Sequence, residues 1–184
     1  MNRAVFTHFH LLWLLALLCL PASALSAHAE TGEYQVKAAM VYNMIRFMDW
    51  PEDVLPAATS QLTVCVAGTG PLGAGVSSLQ GKQVKGKAIA LRQLDPAVGA
   101  AGCQVLVISS LDKQAASRLL EKSRSSAVLT IADSAGFARS GGVVGFILQD
   151  GRVRFEVNLA AAQRHRIRIS AQLLKLAQIV QEAQ

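Results

Sequence analysis

Residues 62–79 read LTVCVAGTGPLGAGVSSL, and this stretch sets the fold class. The run Leu62–Ala67 is apolar and rich in β-branched residues, which predicts a buried strand. Gly68-Thr-Gly70-Pro71 breaks the run, and Leu72–Leu79 suits a short helix. A strand that turns over glycines into a helix opens a parallel α/β unit. Gly68, Gly70 and Gly73 also fall at G-x-G-x-x-G spacing, with Asp95 22 positions beyond Gly73. That is the dinucleotide-binding fingerprint, but alone it is a weak signal. Pro71 lies inside it and removes one backbone N–H from any phosphate cradle. Two other uses of the glycines are open. They permit a sharp turn with close packing at Gly73, or they form a small-anion site at Gly68, Gly70 and Gly73.

Downstream, the alternation continues. Ala88–Leu91, Gln104–Ile108 and Ala127–Ala132 read as strands, and Lys113–Ser123 reads as a helix with Leu119 and Leu120 toward the core. The strands lack a period of two, as expected where helices cover both faces of a parallel sheet. Val143–Gln149 and Arg152–Asn158 then flank Asp150-Gly151, a type I′ hairpin signal. In the second arm Val153, Phe155 and Val157 alternate with Arg152, Arg154, Glu156 and Asn158, which predicts a half-exposed, edge-like strand. Asn158 can cap a short helix through Ala162. Ser170 can cap a final helix with Leu173, Leu174, Ala177 and Val180 as its apolar stripe. Upstream, Glu33–Asp49 predicts a long helix. Val36, Met40, Met44 and Phe47 line one face, with Val41, Ile45 and Met48 beside them. Pro51 stops it, and Pro51–Gln61 is a connector. The expected architecture is a mixed, largely parallel central sheet with helices on both faces and a C-terminal antiparallel hairpin.

The N-terminal residues carry a different signal. Residues 1–29 hold one cation, Arg3, and no acid. An apolar core at Leu11–Leu20 is followed by Pro21 and a tail ending Ala27-His28-Ala29. This is the pattern of a secretory signal peptide. Leu18 before Cys19 does not suit lipidation. Residues 30–184 are then expected to form a single exported domain, with a bacterial periplasm as its place. The formal charge is +6, with clusters at Lys82, Lys85 and Lys87 and at Arg164, Arg166 and Arg168. An exported chain has no nucleic-acid partner. The basic residues suit a solvated surface, an acidic protein face or an anionic membrane surface. Beyond Cys19 only Cys65 and Cys103 remain. They read as a disulfide in an oxidising compartment, or as two buried thiols in neighbouring strands.

Catalytic constellations are not legible. His165 is the only histidine after residue 29, in the basic run Arg164-His-Arg166, and reads as a surface residue. Two cysteines and one histidine make no zinc-like spacing. No serine sits in a G-x-S-x-G elbow. Asp49, Asp53, Asp133 and Glu156 are carboxylates that the sequence gives no reason to pair. No catalytic residue, cofactor or metal is expected.

Two stretches together carry a family resemblance. Lys37-Ala-Ala-Met-Val-Tyr42-Asn-Met-Ile-Arg46-Phe-Met-Asp-Trp50-Pro51 matches a KAA-x-x-YN-x-x-(K/R)-F-x-x-WP pattern. Arg154-Phe-Glu-Val-Asn158 and Ser170-Ala-Gln-Leu-Leu-Lys-Leu-Ala177 match an (R/S)-F-x-(I/V)-N strand and an S-x-x-LL-x-LA helix. The chain resembles the YfiR-like family of periplasmic regulators. The resemblance implies a protein that binds the periplasmic sensor domain of an inner-membrane diguanylate cyclase and represses it. It implies control of cyclic di-GMP and biofilm, relief by redox or envelope stress, and a homodimer with intramolecular disulfides. Cys65 and Cys103 fit one family disulfide. A second pair in the best-studied member has no counterpart here. An apolar, partly exposed patch at Phe146, rimmed by Arg154 and Glu156, is the expected partner surface. A periplasmic small-ligand-binding protein serving a receptor or transporter is the alternative function, and a nucleotide enzyme using the glycine loop is a third.

Overall fold

The computed structural model describes residues 23–183, and side-chain surroundings for residues 32–183. Two compact units divide the chain, Met1–Gly32 and Glu33–Gln184. Most of the signal peptide expected at residues 1–29, with Cys19, lies outside the described residues. The described part of the first unit, residues 23–32, is helical.

In the second unit, a sheet of eight strands is built from β2 (Gln61–Ala67), β3 (Gln83–Val84), β4 (Lys87–Leu94), β5 (Val105–Ile108), β6 (Leu129–Ala132), β7 (Val144–Gln149), β8 (Arg152–Asn158) and β10 (Gln178–Val180). Their spatial order is β10-β8-β7-β6-β5-β2-β4-β3. Strands β4, β2, β5, β6 and β7 run parallel, while β8 is antiparallel to β7 and β3 is antiparallel to β4. The parallel block thus has the 2-1-3-4-5 order of doubly wound sheets. A small second sheet pairs β1 (Met48–Asp49) with β9 (Arg168–Ile169). The expected mixed, largely parallel sheet with a C-terminal hairpin is present.

Alternate residues of the parallel strands feed two cores. Leu62, Val64, Val66, Val105, Val107, Leu129 and Ile131 meet α1 (Ser23–Arg46), α2 (Pro71–Val76) and α4 (Leu159–Arg164) on one face. Cys65, Ala67, Leu106 and Ile108 meet α3 (Lys113–Lys122) on the other, through Ala116, Leu119 and Leu120. Each fully buried Leu, Ile or Val contributes about 1.5–3 kcal/mol. Because both faces are covered, these strands need no polar alternation. At the hairpin, Asp150 and Gly151 both take positive φ, 52° and 69°, as a type I′ turn requires.

Three expectations are corrected. First, α1 ends at Arg46, and Met48–Asp49 is strand. Its buried positions are Lys37, Ala38, Val41, Met44 and Ile45, while Val36 is exposed and Met40 half-buried. Apolar residues occupy so much of this helix that periodicity did not single out the inner face, and a lysine lies on that face. Second, the final helix, α5, is one turn, Ala171–Leu174, although Ser170 Oγ does accept the Leu173 N–H at 3.3 Å. Gln178–Val180 instead pairs in parallel with Glu156–Asn158. The spacing of Leu173, Leu174, Ala177 and Val180 suits a helix, but an open edge on β8 offers backbone partners that only the folded sheet supplies. Third, β8 is therefore not an edge along its second half, and Glu156 and Asn158 are buried rather than outward-facing.

Candidate functional site

The chain leaves β2 for β4 on one side and returns to β5 on the other, so the carboxyl ends of β2 and β5 form the topological switch point. Open α/β sheets bind ligands there. In this protein the place is taken by its own loops. Gly70 N–H donates to Ser109 O at 3.4 Å, and Gly73 N–H donates to Ser109 Oγ at 2.9 Å. A Cβ at Gly68 would lie 2.0 Å from Ser109 O, and one at Gly70 would lie 2.0 Å from Ser110 Oγ. Gly68 also holds φ 92°, which a side chain would strain. The anion site expected at Gly68, Gly70 and Gly73 is thus not assembled. Two of its donors are spent internally, and α2 is a six-residue helix beginning at Pro71. The glycines serve close loop-to-loop contact. Gly68 and Gly73 also line a groove of about 320 Å³, together with Thr69, Ala74, Arg92 and Gln93.

The three residues expected to share a partner surface are separated. Phe146 is 2% exposed and belongs to the core. Its β-hairpin partner Phe155 is buried with it. Glu156 is buried, and its Oε1 accepts from Arg139 Nη2 at 3.0 Å. Arg154 alone is exposed. The apolar side chains that do reach solvent here are Leu148, Leu176 and Ile179. Leu148 lies opposite Val153 and Ile179 beside Val157, so both project from one face of the sheet. Reading residues 178–180 as helix hid this from the sequence.

Cys65, in β2, and Cys103, just before β5, form a disulfide. Of the alternatives open at the sequence, the bridge is the one present. Both residues are buried, 0% and 2% exposed. Arg92 of β4 is the register partner of Cys65. Its Nε lies 3.4 Å from Cys65 Sγ, its Nη2 3.0 Å from Cys103 Sγ, and the same Nη2 donates to Ala101 O at 2.7 Å. Nothing in the sequence links Arg92 to the cysteines, because the register of β2 on β4 makes the contact.

Motif residues that matched the family pattern hold the frame. Lys37 Nζ meets Glu33 at 2.6 Å and Asp133 at 3.1 Å and stands 4.4 Å from the centre of the Tyr34 ring. Burial lowers the Lys37 pKa, but hydrogen bonds and charge from Glu33 and Asp133 outweigh it, and the net direction is upward. Burial, then the Asp133 charge, also raises the Tyr34 phenol. Trp50 Nε1 donates to Gln104 O at 2.9 Å, which pins the start of the connector to the strand below. Asn158 caps α4 through the Ala161 N–H at 2.9 Å. His165, expected at the surface, is 3% exposed, with Nδ1 2.8 Å from Ser126 O. The connection from α4 turns inward beneath residues 124–126, which a local basic run could not reveal.

Among the described residues no cluster of three or more His, Cys, Asp or Glu could hold a metal ion, and no helix is long and apolar enough to cross a membrane. A doubly wound α/β domain with a disulfide-braced interior strand and a C-terminal hairpin is the class defined by this fold. The chain belongs to the YfiR/HmsC-like family, which it matches over residues 34–178. That family is periplasmic and regulatory, and is not known for enzymes. No curated protein matches the chain.

Proposed function

We propose that this protein is a periplasmic regulator that represses an inner-membrane diguanylate cyclase by binding its sensor domain as a homodimer. The family match over residues 34–178 carries this reading. Exposed Leu148, Leu176 and Ile179 supply apolar contact points on the C-terminal strands, with exposed Arg154 on the neighbouring arm of the hairpin. Repression requires the regulator to bind the inactive state of the sensor domain more tightly than the active one. Deleting the gene raises cellular cyclic di-GMP, and the purified protein retains the cyclase sensor domain in a pull-down. Leu148→Asp with Ile179→Asp weakens that retention at least tenfold. An unchanged cyclic di-GMP level on deletion removes the cyclase as partner. Undiminished retention of the double variant moves the contact elsewhere.

A further inference from the structure

The contact of one guanidinium with both sulfurs of the Cys65–Cys103 bridge has a chemical consequence. A disulfide is a weak, neutral acceptor, whereas a thiolate beside a guanidinium forms a charge-assisted hydrogen bond. An adjacent cation lowers a thiol pKa. We infer that Arg92 stabilises the reduced form of this bridge, making Cys65–Cys103 a charge-assisted site of thiol–disulfide exchange with external dithiols. The inference does not depend on the proposed partner.

The surroundings define the direction of attack. Cys65 lies in β2, an interior strand of the sheet, and Cys103 ends a loop whose Ala101 and Gly102 are exposed. Arg92 holds that loop through Ala101 O at 2.7 Å. When the loop lifts, Cys103 is the sulfur a reductant meets. A thiolate of the dithiol attacks Cys103 Sγ, the S–S bond breaks, and the electron pair leaves on Cys65 Sγ beside Arg92 Nε. The second thiol of the reagent, as its thiolate, then displaces Cys103 from the mixed disulfide. Two protein thiols and the oxidised reagent result, a two-electron exchange with no further reactant.

Arg92 is the charged residue aimed at the sulfurs. Asp95, in the intervening loop, accepts the Ala97 N–H at 2.8 Å, and Lys122, from α3, donates to Ala97 O at 2.6 Å. The other side chains packed around the bridge, Ala100, Leu106, Leu119 and Val128 among them, are apolar. Removing the guanidinium therefore removes the local counter-charge of a thiolate.

The test is a redox titration of the purified protein against dithiothreitol between pH 5 and pH 9, comparing wild type with Arg92→Met and Arg92→Lys. Arg92 is exposed, so both variants keep the fold. The ratio of the wild-type to the Arg92→Met reduction equilibrium cancels the pH dependence of the reagent. That ratio is expected to rise with pH, from its value where all thiols are protonated to about tenfold higher where wild-type thiolate forms, the effect of roughly one pKa unit. Tenfold corresponds to about 30 mV for this two-electron couple. Arg92→Lys, which keeps the charge and loses the fork, falls between the two. A ratio that stays flat across pH, or a bridge in Arg92→Met that reduces more readily at high pH, reduces Arg92 to a loop clamp and overturns the proposal.

Discussion

Asn158 shows how much one buried side chain can secure. Its Oδ1 accepts the Ala161 N–H at 2.9 Å, its Nδ2 donates to Ala138 O at 2.8 Å, and its backbone N–H donates to Val143 O at 2.9 Å. Asn158→Ala deletes the α4 cap, about 1 kcal/mol, and strands the Ala138 carbonyl, about 1–3 kcal/mol more. A loss of about 2–4 kcal/mol in urea unfolding is expected, and a loss below about 0.5 kcal/mol would contradict the double role. The cap was legible, since an Asn ahead of a short apolar helix needs no distant information. The bond to Ala138, 20 residues away, was not. Lys37 and Glu156 follow the same rule. Glu156 reads as outward-facing and nothing local marks Lys37 as buried, because the partners that allow burial, Arg139 and Asp133, are brought in by the fold. Glycine spacing misled for a related reason. It reports close backbone approach, and here the approaching group is the protein's own Ser109–Ser110 segment.

Among the elements, local signals were sufficient where a strand or helix is long and apolar enough to read by itself. The β7–β8 hairpin and its turn, the parallel strands and α3 all follow from their own residues. β10, the pair β1–β9, and the β3–β4 hairpin turning at Lys85-Gly86 do not, because short strands are stabilised only by the edge they join. The C-terminus of α4 gives an element-scale prediction. Ser126 O can only accept, so His165 Nδ1 carries its proton toward it, and the neutral ring is buried at the helix end. A helix C-terminus favours a cation. Burial opposes it most, and the Arg164 and Arg124 charges add to that, so the His165 pKa is lowered despite the Ser126 bond. The unfolded chain then binds more protons than the folded one below the ordinary histidine pKa of about 6.5. Stability is full above that pH and falls as acid carries the protein down through the lower folded value. In His165→Gln this part of the slope between pH 5 and 6.5 disappears, as measured by urea midpoints. An unchanged slope would place the acid sensitivity in other groups.

For the whole molecule, the bridge ties the sheet together where its topology changes direction. Cys65 and Cys103 are 38 residues apart, and the loop they close contains α2, β3 and β4. Closing a loop of this length in the unfolded chain stabilises the fold by about 3–4 kcal/mol in the chain-entropy account. Replacing both cysteines by alanine should therefore lower the melting temperature by roughly 8–14 °C for a domain of this size. The fold itself should persist. β2 still pairs with β5 from Val64–Val105 to Ala67–Ile108, and the α1-side core contains neither cysteine. Near-native far-ultraviolet circular dichroism with a lowered melting temperature is the expected pair of observations. By linkage, whatever the bridge adds to folding, folding adds to the bridge. The native state thus holds Cys65–Cys103 oxidised while Arg92 works in the opposite sense by stabilising the thiolate. The two effects are separable, because chain entropy does not depend on pH and thiolate stabilisation does. Unfolding oxidised and reduced protein at pH 5 and pH 9 measures both at once. The stability gap between the two forms should be wider at pH 5 than at pH 9 in wild type, and that narrowing should be smaller in Arg92→Met. A gap that is the same at both pH values in wild type would leave the bridge as a staple alone.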